Sequence, residues 1–351
     1  MPGVTTDVDE KRRRDELGRR IERLHRRILD TGVLRGALPM RARRLSRRAP
    51  APDATLRERR LRETSPAYGA AADDRDPLAR TTRVIAVDGL RWWVPLTRPD
   101  DAVHVERSIQ HQDFPYRVIT QTRELAIGGV MLDIGANVGR MSIPRIVLGD
   151  VSAAYCAEPD PLNYACLVRN ARDNHLSGLV LPDQLAIGAA DGVVRLVRAK
   201  SAGGHRVLEA GARSKHEVIE VPCRTLDTWV GDMGIDLEEV VFVKLDVQGS
   251  EVDVLRGAAR VLSYRHIAWQ IEVDLTLLQA RSHQSADLFA IVRRHFTHFV
   301  DLGRHARGDR VRPIAEIGDA LAYVSGGSDG RTDVLVFTLE DVPGASARAD
   351  A

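Results

Sequence analysis

The chain has 351 residues, 44% of them hydrophobic, which is longer than one compact domain usually needs and apolar enough for a real core. Its formal net charge of +2 conceals an excess of +9 over residues 1–63 and of −7 over the rest, so the basic character is local. Cys156, Cys166 and Cys223 form no CxxC pair, which argues against a cysteine zinc site or a disulfide framework. No run approaches the roughly 18 apolar residues of a membrane span, and the N-terminus lacks the apolar stretch of a signal peptide. A cytoplasmic protein without an integral membrane segment is therefore expected, with peripheral membrane contact left open.

From Asp9 to about Asp30, Leu17, Ile21, Leu24 and Ile28 recur at helical spacing among charges, which predicts a short amphipathic helix. Between Arg41 and Asp76, Arg, Ala and Pro dominate without periodicity, so residues 1–81 read as a basic, partly helical and largely flexible region. Order is expected from Thr82, where TRVIAV and LRWWVPL flank Asp88-Gly89, a two-residue turn that joins hairpin strands. Residues 82–128 are assigned to that hairpin and a helical cap.

From Gly129 onward, strand and helix patterns alternate. VMLDIG, AAYCAEP, LVLPDQLAIG, VVFVKLDV and IAWQIEV predict strands. Asp160-Pro161 starts a helix running to about His175, and Gly249-Ser250 starts another through VDVLRGAARVL. VVRLVRA and VIEVPCRTL predict extra strands around SAGGHRVLEAGA, read as a mobile loop over the site. Such alternation requires an α/β domain, a mostly parallel sheet with helices on both faces. It spans residues 129–341, and residues 342–351 are expected to form a disordered tail.

The segment VMLDIGANVGRMSI is a strand, a glycine-containing turn and a helix start, where an open α/β sheet brings its backbone close to a nucleoside. A dinucleotide GxGxxG would need glycine at 135, 137 and 140, but the chain has Gly135, Asn137 and Arg140. The pattern DxGxGxG of S-adenosylmethionine sites matches at Asp133, Gly135 and Gly139, with Asn137 replacing the middle glycine. A tight turn without a ligand is the alternative. Glu158 lies 23 positions beyond Gly135, near the spacing at which a carboxylate accepts ribose hydroxyls. At the end of the third strand, Asp183 or Gln184 is a candidate for the adenine amine and Ala186 for leaving the ring room; a turn-forming aspartate after Pro182 is the competing reading.

Lys244, Asp246 and Gln248 interrupt an apolar strand at its carboxyl end, and charge on a central strand is costly unless paired or functional. A structural Lys244–Asp246 ion pair is one reading; a carboxylate that catalyses or orients substrate is the other. A hydroxyl that attacks a sulfonium methyl must lose its proton, so alignment and a base are required. Asp246 is the first candidate base and Glu272 the second; His205 and His216 are further options, and Lys244 is a candidate partner. Cys223 follows a proline but precedes the fourth strand, and reads as a small buried residue. The acidic residues and histidines show no metal-ligand spacing, so no metal is assigned.

Taken in order, LDIGANVGRMSI, AEPDPLNYACLVRNARDNHL, LAIGAADGVVRL, TLDTW and KLDVQGSEVDVLRGAARVL resemble the FkbM-type methyltransferase family over roughly Val130 to Val273. The resemblance implies a class I Rossmann-like fold, S-adenosylmethionine as cofactor, and a hydroxyl of a secondary metabolite or carbohydrate as acceptor. It places the cofactor loop at Asp133 to Gly139, the ribose carboxylate at Glu158 and the fourth-strand motif at Lys244 to Glu251. Gln248 departs from the family pattern DVEG, which leaves Asp246 and Glu251 as the acidic positions there. A nucleic-acid methyltransferase is the alternative, suggested by the basic arm, but no NPPY-like motif follows the fourth strand and aromatics are only 5%. A Rossmann-like binding protein without catalysis is the third reading. The basic N-terminus is a solvated tail or a dock for an acidic partner or an anionic surface.

Overall fold

The computed structural model describes residues 78, 81–87, 90–96, 118–119, 122–199, 203–303, 310–325 and 330–342. The predicted helix over 9–30, the basic segment 41–76, the Asp88-Gly89 turn and the tail beyond Val342 lie outside them. Strands β1 (Thr82–Val87) and β2 (Leu90–Pro95) pair antiparallel, with Val87 opposite Leu90. The core then runs β3 (Val130–Ile134), α1 (Ser142–Leu148), β4 (Ala153–Ala157), α2 (Pro161–Asp173), β5 (Val180–Asp183), β6 (Ala186–Gly188), β7 (Gly192–Val197), β8 (Arg206–Val207) and β9 (Val218–Thr225). Next come α3 (Leu226–Asp232), β10 (Val240–Leu245), α4 (Glu251–Arg256), α5 (Ala259–Leu262), β11 (Ala268–Asp274), α6 (Leu275–Ala280) and α7 (Ser285–His295). The last elements are β12 (His298–Asp301), β13 (Arg312–Pro313), α8 (Ile317–Ala320) and β14 (Arg331–Phe337).

Eight strands form the central sheet in the order β13-β12-β14-β11-β10-β3-β4-β5. Strands β5, β4, β3, β10 and β11 are parallel, and β14 inserts antiparallel between β11 and β12. This is the Rossmann-like architecture the alternation called for. On one face, Leu132, Val243 and Ile271 meet α3, α4, α5 and α7 through Trp229, Val254, Val261 and Leu288. On the other, Met131, Phe242 and Leu335 are covered by α1, by Leu167 of α2 and by the hairpin residues Leu90, Trp92 and Val94. Val118 and Ile119 of the predicted cap join this second cluster, and the buried Arg145 both bonds Thr122 Oγ1 and stacks 4.4 Å from the Phe242 ring.

Three predicted elements are corrected. The run LVLPDQLAIG is not one strand: β5 belongs to the central sheet, whereas β6 pairs with β9 in a second, four-stranded sheet ordered β6-β9-β7-β8. Part of the predicted loop is also strand, since Leu196 and Val197 pair with Val207 and Arg206. The helix predicted from Gly249 breaks at Gly257, which passes so close to the Gly188 carbonyl of β6 that a Cβ there would overlap it.

The α2 helix starts where its cap residue dictates. Asp160 has extended backbone, and its Oδ1 accepts from Leu162 N at 2.9 Å and Asn163 N at 3.0 Å, with Pro161 at the first helical position. Its Oδ2 accepts from Arg198 Nε at 2.7 Å, so one side chain both caps α2 and holds the end of β7. Asp160→Ala should cost about 1–2 kcal/mol in urea denaturation; an unchanged midpoint would contradict this double anchoring.

Candidate functional site

The parallel strands end on one edge, the place where open α/β sheets meet their ligands. Along the face of the sheet that carries α1, side chains change from apolar to polar or charged toward that edge: Met131 gives way to Asp133, Phe242 to Lys244, Ala268 to Gln270 and Glu272. Lys244 stands between Asp133 and Gln270 in register, and Glu272 stands opposite Asp333 of β14.

Lys244 is the centre of this group. Its Nζ donates to the Gly135 carbonyl at 2.6 Å and lies 3.4 Å from Asp133 Oδ1 and 3.5 Å from Asp246 Oδ2. Burial acts to remove its proton, but Asp246 and Asp133 outweigh burial and hold the ammonium above the usual lysine range. Burial would raise Asp246 as well, yet Lys244 and the hydrogen bonds from Gln248 and Glu272 bring its carboxyl below the ordinary range. Glu272 goes the other way: burial, then Asp246 and Asp333, lift it well above the carboxylate range, so it keeps a proton that it shares with Asp246. The Asp246 side chain retains 35% of its exposure while Lys244 retains 6%, so of this ion pair it is the carboxylate that faces solvent.

Gln248 lies beyond the end of β10 in left-handed backbone, φ 55°, a conformation costly for a residue with a Cβ. Its Nε2 donates to Asp246 Oδ1 at 2.7 Å and to Glu272 Oε2 at 2.8 Å. Glu251 Oε1 accepts from Val247 N at 3.0 Å and Gly249 N at 3.2 Å and thereby closes this turn.

The loop from Asp133 to Gly139 lies alongside. Asn137, in place of a glycine, has φ 53°, which asparagine tolerates better than other non-glycine residues. Gly135 has φ 75°, and a Cβ there would overlap the Asp246 carbonyl, so glycine is required for the loop to pack on β10. Glu158, at the end of β4, accepts from Asn137 N at 2.8 Å and Asp160 N at 2.9 Å, and burial pushes its carboxyl up to about 7.

Asp183 ends β5 and accepts from Trp229 Nε1 at 3.1 Å, with Gln184 exposed beside it. Ala186 is placed elsewhere: it starts β6 and packs with Leu196, Val221 and Cys223 in the core of the second sheet. His205 is buried against Asp160, 3.7 Å from its Oδ2, and His216 lies half-buried before β9. Asp333 and Gln270, absent from the sequence reading, join the group, Gln270 Nε2 donating to Asp333 Oδ2 at 2.6 Å. The polar interruption of TDVLVF was the only signal for Asp333, and it gains meaning once β14 is known to pair with β11. Among the described residues no group of three or more His, Cys, Asp or Glu is arranged to hold a metal ion, and no helix is long and apolar enough to cross a membrane.

Burial places Glu158, Glu251 and Asp333 each at about 7. Because these values lie above those of an unfolded chain, their contribution to stability is complete at low pH and is lost as pH rises through about 7. Melting temperature should therefore fall between about pH 5 and about pH 8, and Asp333→Asn should flatten the decline. A wild-type melt that rises over this range would contradict the account.

Residues 133–305 match the family described as Methyltransferase FkbM domain. No curated protein matches the sequence. Similar solved structures include methyltransferase FkbM from Methylobacillus flagellatus KT, at 18% identity and TM-score 0.37 over 60% of this chain and 43% of that one. They also include the tRNA methyltransferase TrmK of B. subtilis, at 12% identity and TM-score 0.35 over 63% of this chain and 64% of that one. A third is the precorrin-6y C5,15-methyltransferase of Geobacter metallireducens GS-15, at 11% identity and TM-score 0.35 over 66% of this chain and 97% of that one. This chain thus spans less than half of the Methylobacillus protein, 43% of its length. The match begins at Asp133 on β3, and over residues 133–305 the chain is similar to the FkbM methyltransferase family.

Proposed function

We propose that the chain is an S-adenosylmethionine-dependent O-methyltransferase acting on a hydroxyl of a secondary metabolite or a carbohydrate, with residues 129–341 as its catalytic domain. The observation that carries this reading is an ionised, partly exposed carboxylate, Asp246, beside the loop at Gly135. The donor and acceptor set suits a nucleoside cofactor. Each oxygen of Glu158 accepts one main-chain N–H, and a carboxylate oxygen offers two lone-pair sites, which leaves capacity for two ribose hydroxyls. Asp183 at the neighbouring strand end would take the adenine amine, and the backbone of Gly135 to Gly139 would face the amino-acid end.

When bound, S-adenosylmethionine supplies a methyl group already activated on a sulfonium sulfur. The chain's task is then to align the hydroxyl and accept its proton. Asp246 Oδ2 beside Lys244 is the base: Lys244 keeps it ionised at neutral pH, and Gln248 fixes the orientation of its other oxygen. Protonated Glu272 donates to Asp246 and cannot itself serve as base until it ionises. This favours Asp246 over Glu272 as the proposed base. A nucleic-acid acceptor is favoured by no observation on the described residues.

Calorimetry with S-adenosylmethionine and turnover with a panel of sugars and hydroxylated metabolites separate the two roles. Glu158→Ala should weaken cofactor binding by about tenfold or more, through loss of charged hydrogen bonds. Asp246→Asn should leave binding within about threefold and lower turnover by roughly a hundredfold or more. Full turnover by Asp246→Asn would remove it as base; unchanged affinity in Glu158→Ala would remove the ribose assignment.

A further inference from the structure

We infer that Asn170 is a positioning residue that joins Trp93 of the N-terminal hairpin to Val138 in the loop between Asp133 and Gly139, so that this grip on Val138 sets cofactor affinity; this rests on the cofactor reading above. Asn170 and Asn174 stand one turn apart on α2 and at its end, and both face strand β2. Asn174 Oδ1 accepts from Arg91 N at 2.9 Å, and its Nδ2 donates to Arg91 O at 2.7 Å. Asn170 repeats the pattern two residues on, accepting from Trp93 N and donating to Trp93 O at 3.2 Å. The two side-chain amides act as a substitute strand and satisfy the free edge of β2.

The third bond of each amide differs. Asn174 Nδ2 donates to Asn170 O at 2.8 Å, within α2, whereas Asn170 Nδ2 donates to Val138 O at 2.9 Å, inside the loop, and Asn170 is fully buried. Apolar contact follows the same route. Leu90, Trp92 and Val94 of β2 point into the sheet's core, whereas Trp93 turns to the other side and packs with Val138 and Cys166 in a separate cluster. The Trp93 indole is fixed by Asp173 Oδ2, 2.8 Å from its Nε1. Val138 is thus gripped at its carbonyl and at its side chain, between Asn137, whose N–H reaches Glu158, and Gly139. Loss of this grip on Val138 would release the segment that carries the left-handed Asn137 and disturb the Glu158 contact.

Asn170→Ala and Asn174→Ala both cut the hairpin clamp, but only the first frees Val138. Calorimetry on the full chain should find S-adenosylmethionine affinity reduced about tenfold in Asn170→Ala and within about twofold of wild type in Asn174→Ala. Amide nitrogen and proton shifts of Gly135 and Gly139, read without ligand, should move in Asn170→Ala and stay in Asn174→Ala, which a general loss of stability would not produce. Should Asn170→Ala not fold, Trp93→Leu compared with Trp92→Leu asks the same question, with loop shifts expected only for the first. Equal affinities and equal shifts in either pair would overturn the coupling. Absence of binding by wild type would overturn the cofactor reading instead, and the ligand-free shifts would then decide the coupling alone.

Discussion

A single buried ammonium joins the two strands on which the site is built. Lys244 on β10 donates to the Gly135 carbonyl at the end of β3 and lies between Asp133 and Asp246. A lysine this deep would lose its proton without those carboxylates, and Lys244 in turn holds Asp246 below the ordinary range and offsets part of the burial that raises Asp133. The pairing holds the charges in place. It also leaves the group with more carboxyls than its one ammonium can balance, and the surplus proton stays on Glu272, with Glu251 and Asp333 pushed up to about 7. Two neighbouring strand ends thereby set an ionised carboxylate that faces solvent beside a protonated one, a division of roles that environment alone creates.

Around this centre the fold supplies rigidity from three directions. The Gln248 turn is closed by Glu251, the start of α2 is held by Asp160 and Arg198, and the loop at Val138 is held by Asn170 and Trp93. Each anchor uses a side chain that satisfies a backbone group otherwise left without a partner at a strand or helix end. Asp160 links the second sheet to α2 only two residues beyond Glu158, so the small sheet braces the nucleoside end of the site.

Much of this was legible in the sequence because its signals are local. Asp133, Gly135 and Gly139 announce a strand, turn and helix start; Asp160-Pro161 announces a helix; and the charges at 244 and 246 stand out on an apolar strand. Less local facts were hidden. Apolar residues continue on both sides of Asp183-Gln184, so nothing in the run marked the passage from one sheet to the other, and Ala186 was consequently placed beside the cofactor rather than in the core of the second sheet. Asp333 acquires its neighbour only through the antiparallel insertion of β14, 61 positions after Glu272 in the chain. Asn170 and Asn174 look like polar residues on an exposed helix until the hairpin is laid against them.

The division of charge between Asp246 and Glu272 is the centre of the account, and carbon-detected NMR titration of the two side-chain carboxyls measures it directly. The Asp246 resonance should titrate below the ordinary aspartate range, while that of Glu272 should titrate well above the ordinary glutamate range. Lys244→Met should raise the Asp246 transition. Two carboxylates both ionised at neutral pH, or a protonated Asp246 beside an ionised Glu272, would contradict the account.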